Sequence, residues 1–357
     1  MTYAEARAEF PVLERFAYLN TGTFGPLGRS TLAAMEPRLR DDVEYGRIQY
    51  EGVLELRERV RAGVAALLGA QPDQIALTYS TTSGCNTAIA GLGLGRGDEV
   101  VTTDSEHPGL LLPLHVSGAR VRVAEVGGHP TNEALERIVA CVGPRTRLLA
   151  LSHVLWTTGQ VMPVHELKRV TGLPVLVDGA QSVGAIPVTV GELDWYTVSG
   201  QKWLCGPEPV GALYVRDAES LRTAFPSYFA LSSIEPDGTF VPKEGATRFD
   251  SGWLAAAQLA GLAAALGVAP EWRYERAAEI TAYCREALAR AHEVVGEPGQ
   301  GTLVSWVAAD DPAGTARKLQ EEGVIVRDLP GTGWLRASCG WWSNEEDIDR
   351  LVAALAA

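Results

Sequence analysis

The feature that most restricts this chain is an alternation through its middle: short apolar, β-rich runs give way to polar turns and then to stretches of helical periodicity. A strand that returns parallel to its predecessor needs a crossover long enough to hold a helix, so repeated alternation specifies an α/β fold with a parallel sheet covered by helices. The predicted strands are Ile75–Thr78, Glu99–Thr103, Arg120–Glu125, Arg147–His153, Pro174–Asp178, Trp195–Ser199 and Gly211–Val215, enough for one large, mostly parallel seven-stranded sheet. Helical periodicity lies between them at Leu54–Leu68, Gly84–Leu92, Asn132–Cys141 and Val164–Thr171, and a Gly-Arg-Gly-Asp turn at Gly95–Asp98 punctuates the second unit.

Beyond Trp253 the pattern changes to long helices over Leu254–Leu266 and Glu271–Ala291 and then short strands near Leu303–Val307 and Val324–Arg327. The chain closes with an amphipathic helix over Asn344–Ala356, opened by an Asn and two glutamates. This divides the chain into a large domain, Phe16–Gly252, and a smaller α/β C-terminal domain, Trp253–Ala357, joined by the N-terminal segment Met1–Arg15. With 357 residues, 46% of them hydrophobic, a sizeable core is within reach. Met1–Arg15 has neither the basic start nor the apolar stretch of a signal peptide, and nowhere are 18 apolar residues consecutive, so a soluble cytoplasmic protein with no membrane partner is expected. A net charge of -13 argues against a nucleic-acid partner, because affinity for phosphate backbones comes from clustered Lys and Arg. The 5 cysteines are scattered singly, with no Cys-x-x-Cys pair, which fits a reducing compartment and predicts no metal site.

In open α/β sheets ligands bind beyond the carboxyl ends of the strands. Here those ends are polar: Ser80–Asn86 after the first strand, Asp104-Ser105-Glu106-His107 after the second, Ser152-His153 at the fourth, Asp178-Gly179-Ala180-Gln181 at the fifth and Ser199-Gly200-Gln201-Lys202 at the sixth. The hydroxyl-rich first cluster opens a helix whose free amides favour a phosphate; alternatively Thr82 or Ser83 simply caps that helix. Asp178 ends a buried apolar strand, where a carboxylate is costly unless it meets a cation such as a pyridinium nitrogen. Trp203 and Leu204 follow Lys202 and could desolvate its amine into a nucleophile toward an aldehyde, although a lysine taken alone is most often a solvated surface residue.

Taken together these segments resemble the class V aminotransferase family of fold-type I pyridoxal-phosphate (PLP) enzymes. The resemblance covers nearly the whole chain: Tyr18–Gly22 with Gly25-Pro26, Thr81–Gly84, Glu106–Gly109, Ser152–Trp156 ending in Thr158-Gly159, Val177–Gln181, the Lys202 segment and Leu335–Ser338. It implies PLP held as a Schiff base on Lys202, which then moves the Cα proton, with Asp178 on the pyridine nitrogen, Gln181 at the ring oxygen and His107 on the ring face. Thr82, Ser83 and Ser199 would hold the phosphate, and Arg336 would grip the carboxylate of an amino-acid substrate. Arg327 is a candidate for a second anion contact, or a strand-end surface charge. The family also implies a homodimer.

Departures bear on the reaction. Cysteine desulfurases of this family use a reactive Cys on a loop before the Arg segment, but Arg327–Arg336 contains none, and Cys339 reads as a small core residue. Gln201 stands where a His is usual before the lysine, and Trp253 where a Thr often follows Gly252. Trp253 is grouped with Arg336 and Arg327 on the substrate side, since several of the 9 tryptophans beside the motif loops form either an aromatic pocket or packing material. The segments Glu106–Gly109 and Ser152–Pro163 are most similar in wording to cysteine and cystine carbon–sulfur lyases, which implies β-elimination to pyruvate, ammonia and a sulfur species. The alternatives are an aminotransferase, an epimerase of the isopenicillin-N type, or a catalytically silent PLP-binding regulator.

Overall fold

The computed structural model describes residues 1–47, 50–308 and 310–356. Its large sheet contains β1 (Ile75–Thr78), β2 (Glu99–Thr103), β3 (Arg120–Ala124), β4 (Thr146–Ser152), β5 (Val175–Asp178), β6 (Trp195–Ser199) and β7 (Gly211–Val215). The spatial order is β1-β7-β6-β5-β4-β2-β3, and all pairings are parallel except those of β7, which runs antiparallel to both neighbours. The predicted strands are all present, with ends moved by one residue at most. Successive side chains point to opposite faces. Val101, Leu149 and Val177 therefore join one core cluster, and Val100, Leu148 and Leu176 join the other. Burial on both faces is what makes these strands read as unbroken apolar runs.

A four-stranded antiparallel sheet forms the second lobe, in the order β8 (Val294–Val295), β9 (Leu303–Val307), β11 (Trp334–Ser338), β10 (Arg327–Leu329). Helices Arg273–Ala289 and Glu345–Ala356 contribute Ile280, Leu288, Ile348 and Leu351 to its core. The expected boundary after Gly252 needs correction at this point. Helix Ala256–Val268 packs on helices Arg29–Glu44 and Tyr50–Leu68, and its Leu259 and Leu262 belong to the large-domain core. An Ala-rich helix that is apolar around most of its circumference is suited to burial between two neighbours. Conversely, Ala17 and Leu19, expected in the large domain, lie in the core of the small lobe, where Ala17–Tyr18 pairs parallel with Val324–Ile325. The N-terminal segment is tied to that lobe too: Phe10 packs on Trp341 and Trp342, and Arg7 pairs with Asp347 at 2.8 Å. Helices Arg29–Glu44 and Pro108–Val116 each contain an internal proline, which masks them in the sequence. Among the described residues no helix is long and apolar enough to cross a membrane.

Candidate active site

Because β1 and β6 run in the same sense as the parallel strands, the polar segments that follow β1, β2, β4, β5 and β6 gather at one edge of the large sheet. They meet the small lobe there and enclose a polar cavity of about 200 Å³. Lys202 lines it from the turn after β6. The turn is fixed from two sides: Gly25 N–H donates to the Gln201 carbonyl (2.7 Å) and Cys205 N–H to that of Lys202 (3.0 Å). A Cβ at position 25 would overlap the Lys202 carbonyl oxygen, so only glycine allows the N-terminal loop so close. Burial lowers the Lys202 pKa to about 8; Arg336 and Arg327 push the same way, and Asp178 opposes them.

Asp178 ends β5, buried, and accepts from Ala180 N–H (2.9 Å) and the Thr197 hydroxyl (3.3 Å). It does not line the cavity itself, but it ends β5 and Lys202 follows the adjacent parallel strand β6, so acid and amine stand at the same edge of the sheet. Gln181 lines the cavity with its amide oriented, donating to the Gly22 carbonyl and accepting from the Trp203 indole N–H, both at 2.9 Å. His107 caps helix Pro108–Val116, its Nδ1 accepting from Gly109 N–H at 3.0 Å. That contact assigns the proton to Nε2. Burial, then Lys202, lowers the His107 pKa, leaving a neutral imidazole set edge-on to Trp156 at 5.3 Å between centroids.

Around helix Thr81–Leu92 the two readings of the hydroxyl cluster resolve into a division of labour. The cap is Ser80, whose hydroxyl accepts from Ser83 N–H (3.2 Å), and Ser80, Thr81 and Thr82 line the cavity. The helix start therefore offers hydroxyls and first-turn amides to an anion. Ser83, with its amide engaged by the cap, does not line the cavity. Neither does the buried Ser199; it donates to Gln201 Oε1 (2.8 Å) and so leaves the Gln201 NH₂ group to face the cleft. Sequence reasoning placed Ser80 and Gln201 in the polar clusters without giving either a role, although the Ser80 signal was there: a serine just before a helix, three residues ahead of an amide that needs a partner.

Arg336 and Arg327 face each other across the register of β11 and β10. Arg336 is 0% exposed, and no carboxylate pairs with it among the described residues. Nη1 donates to the Trp156 carbonyl (2.6 Å), while Nε and Nη2 have no partner. Burial, then Arg327, lowers its pKa to about 9. A Cβ at Gly22 would stand 2.6 Å from Nη2, so glycine there lets the backbone approach the guanidinium. Arg327 donates to the Thr23 hydroxyl at 3.0 Å. Trp253 departs from expectation: it is 62% exposed, stacked edge-on against Phe229 (4.9 Å) and Tyr50 (5.9 Å), and does not line the cavity.

A family model described as aminotransferase class-V matches residues 51–351. The chain belongs to the class-V aminotransferase family. Pyridoxal phosphate is the cofactor of this family, and the cleft suits it: an amine with no ion pair among the described residues for the aldehyde, a flat imidazole and an anion-binding helix start line it, and the buried Asp178 carboxylate at the same sheet edge suits a pyridine nitrogen. This class-V chain is 30% identical to isopenicillin N epimerase of Streptomyces clavuligerus, over 99% of its own length and 98% of the relative's. It is 28% identical to a cysteine desulfurase of Salmonella dublin, over 98% and 97%. Among solved structures it resembles the cystine C-S lyase C-DES in complex with its reaction product cysteine persulfide, with a TM-score of 0.91 and 29% identity over 97% and 99% of the two chains. Another C-DES structure, of a mutant with glycine covalently linked to the PLP cofactor, also has a TM-score of 0.91.

Proposed function

We propose that this chain is a PLP-dependent carbon–sulfur β-lyase acting on cysteine, cystine or an S-substituted cysteine. The observation that carries this reading is the placement of the thiols. None of the residues lining the cleft is a cysteine, and Cys339, the thiol nearest Arg336 in sequence, is buried in the small-lobe core. Sulfur leaving Cβ meets no protein thiol in the cleft and so departs on its own leaving group. The likeness to C-DES supports the same reading.

Bound pyridoxal phosphate supplies an aldehyde for Lys202 and an electron-withdrawing ring for the pair left when the Cα proton departs. The chain supplies the rest. Arg336 presents Nε and Nη2 as a two-pronged donor to the α-carboxylate, its third nitrogen anchored on Trp156. Lys202, held at about 8, is poised near neutral pH to take the Cα proton and return one to the departing sulfur. Asp178, steadied by Ala180 and Thr197, would pair with the pyridine nitrogen. Arg327, braced on Thr23, offers a second guanidinium that suits the distal carboxylate of cystine. With cystine, the substrate and one water yield pyruvate, ammonia and cysteine persulfide.

Purified protein loaded with PLP and given cystine should release pyruvate. Racemised or transaminated amino acid without pyruvate would transfer the chain to the epimerase or aminotransferase reading, for which the 30% identity to isopenicillin N epimerase speaks. A colourless preparation that takes up no PLP would return it to a silent relative. We also infer a homodimer, with the exposed Phe225, Tyr228 and Trp253 as candidate contact surface; full activity in a species that light scattering finds monomeric would exclude it.

A further inference from the structure

Glu106 is a buried acid that the mechanism above does not use. It follows β2 and immediately precedes His107. Its carboxyl reaches toward β4: Oε1 accepts from the Thr103 hydroxyl (2.7 Å), and Oε2 accepts from both the N–H (2.9 Å) and the hydroxyl (2.6 Å) of Ser152. Among the described residues no Lys, Arg or His forms an ion pair with it. The charged group that faces it is Asp178, which stands opposite Ser152 in the β4–β5 register. Its other titratable neighbours are the Cys85 thiol on helix Thr81–Leu92 and His107 itself.

We propose that Glu106 is a positioning residue that works as a neutral carboxylic acid, holding the turn that presents His107 while leaving the negative charge beneath the cofactor ring to Asp178. A carboxylate removed from water, without a cation and facing another carboxylate, relieves its cost by taking up a proton. The surroundings accommodate the neutral form without rearrangement. The Thr103 hydroxyl can accept from a protonated Oε1 as readily as it donates to an ionised one, and Oε2 keeps both bonds from Ser152. Burial, with Asp178 adding to it, raises the Glu106 pKa to about 7 against the pull of the Ser152 and Thr103 hydrogen bonds. The turn stays anchored in either state, but the field on the ring differs. Ionised, Glu106 would add a second negative charge near Asp178 and strengthen the hold on a proton at the pyridine nitrogen. This inference rests on the family's cofactor and is independent of the lyase reading.

Glu106→Gln imitates the neutral acid, since its amide oxygen can take both Ser152 bonds and its NH₂ can donate to Thr103. In the folded chain the Glu106 pKa lies above its unfolded value of 4.5, so the stability carried by the neutral form is complete below that pH and is lost as pH rises through about 7. For cofactor-free protein, the Tm of E106Q relative to wild type should therefore climb by about 3 °C or more between about pH 5.5 and about pH 8.5. A difference that is the same at both pH values, or that favours wild type at the higher one, overturns the proposal. In the PLP-loaded protein without substrate, the cofactor absorption of wild type should show a step with a midpoint near 7 that E106Q lacks; superimposable titrations overturn it. Should E106Q not fold, wild type labelled with carbon-13 at the glutamate carboxyls replaces it. One resonance with a midpoint near 7 supports the proposal, and midpoints all in the ordinary carboxylate range overturn it. Neither the melting nor the spectral comparison adds an amino acid, so a failed pyruvate assay and a failed Glu106 titration are separate results.

Discussion

Two clusters of buried charge lie in this chain and are built on opposite rules. In the first, Asp250 is held by Arg57 at 2.8 Å and Arg61 at 2.9 Å, accepts from Leu77 N–H at 2.7 Å, and lies beside an Arg57 guanidinium stacked over Phe229 at 4.2 Å. The principal charges there are matched, and the cluster ties the segment before Trp253 to β1 and to helix Tyr50–Leu68. In the second, at the sheet edge, Arg336 is as deeply buried and Lys202 partly so, and among the described residues neither has a carboxylate bound to it. Burial raises the cost of a charge in both places; pairing offsets it in one and the fold bears it in the other. The difference separates structure from function. Matched charges lock a local arrangement, whereas on the proposed function the unmatched ones await a cofactor aldehyde and a substrate carboxylate.

Substitutions can break that contrast, and the largest effect is expected at Lys202. Lys202→Ala should lower turnover by about a thousandfold or more, the scale of losing both a nucleophile and a general base, while PLP absorption loses its Schiff-base band. Retained turnover would show that the amine is not the reacting group. Asp250→Ala should reverse the pattern, destabilising the fold by about 3–5 kcal/mol in urea unfolding by leaving Arg57 buried without a counter-charge and Arg61 with only the exposed Glu58. Arg336→Met should cost about 2–3 kcal/mol in kcat/KM, mainly as a higher KM, with stability of the cofactor-free protein unchanged or improved. If it unfolds the chain instead, Arg336 belongs with the matched cluster.

A pH measurement sharpens the comparison further. Lys202 titrates at about 8 in the folded chain against 10.5 ordinarily, so the unfolded chain binds the extra proton between those values. The stability of cofactor-free protein should then gain from this residue as pH rises through that window. Lys202→Met should be the more stable protein near neutral pH, with the advantage shrinking toward pH 10.5, as followed by thermal melting. The smallest effect is expected at Trp253. Trp253→Ala should cost about 1 kcal/mol of stability through its edge contacts with Phe229 and Tyr50, with little change in KM, since it does not line the cleft.

The inner strands of the large sheet were legible because a strand buried on both faces needs a continuous apolar run, and such runs have clear ends. The polar residues that follow the strands marked Lys202, Asp178, His107 and Gln181 as candidates for a related reason: ligands of open α/β sheets bind beyond the carboxyl ends of the strands. Where an assignment depended on partners, the sequence was silent. Ser83 and Ser199 differ from Ser80 and Gln201 only in what their hydroxyls and amides already bond, and Trp253 differs from Trp156 only in which surface it meets. Helix Ala256–Val268 looked like the start of the second lobe because composition reports that a helix is apolar and not which neighbours cover it.

Local patterning by itself determined the fold class, the family and the cofactor, and marked an amine and an acid as candidates to serve it, since each depends on residue type at a fixed place along a strand or turn. Only the tertiary structure decided that Arg336 keeps two nitrogens free, that among the described residues Lys202 and Arg336 have no paired counter-charge while Asp250 has two, and that Glu106 lies near Asp178 without an ion-pairing cation. Those properties come from segments far apart in the chain being brought within hydrogen-bonding distance. Periodicity carries no information about such distances.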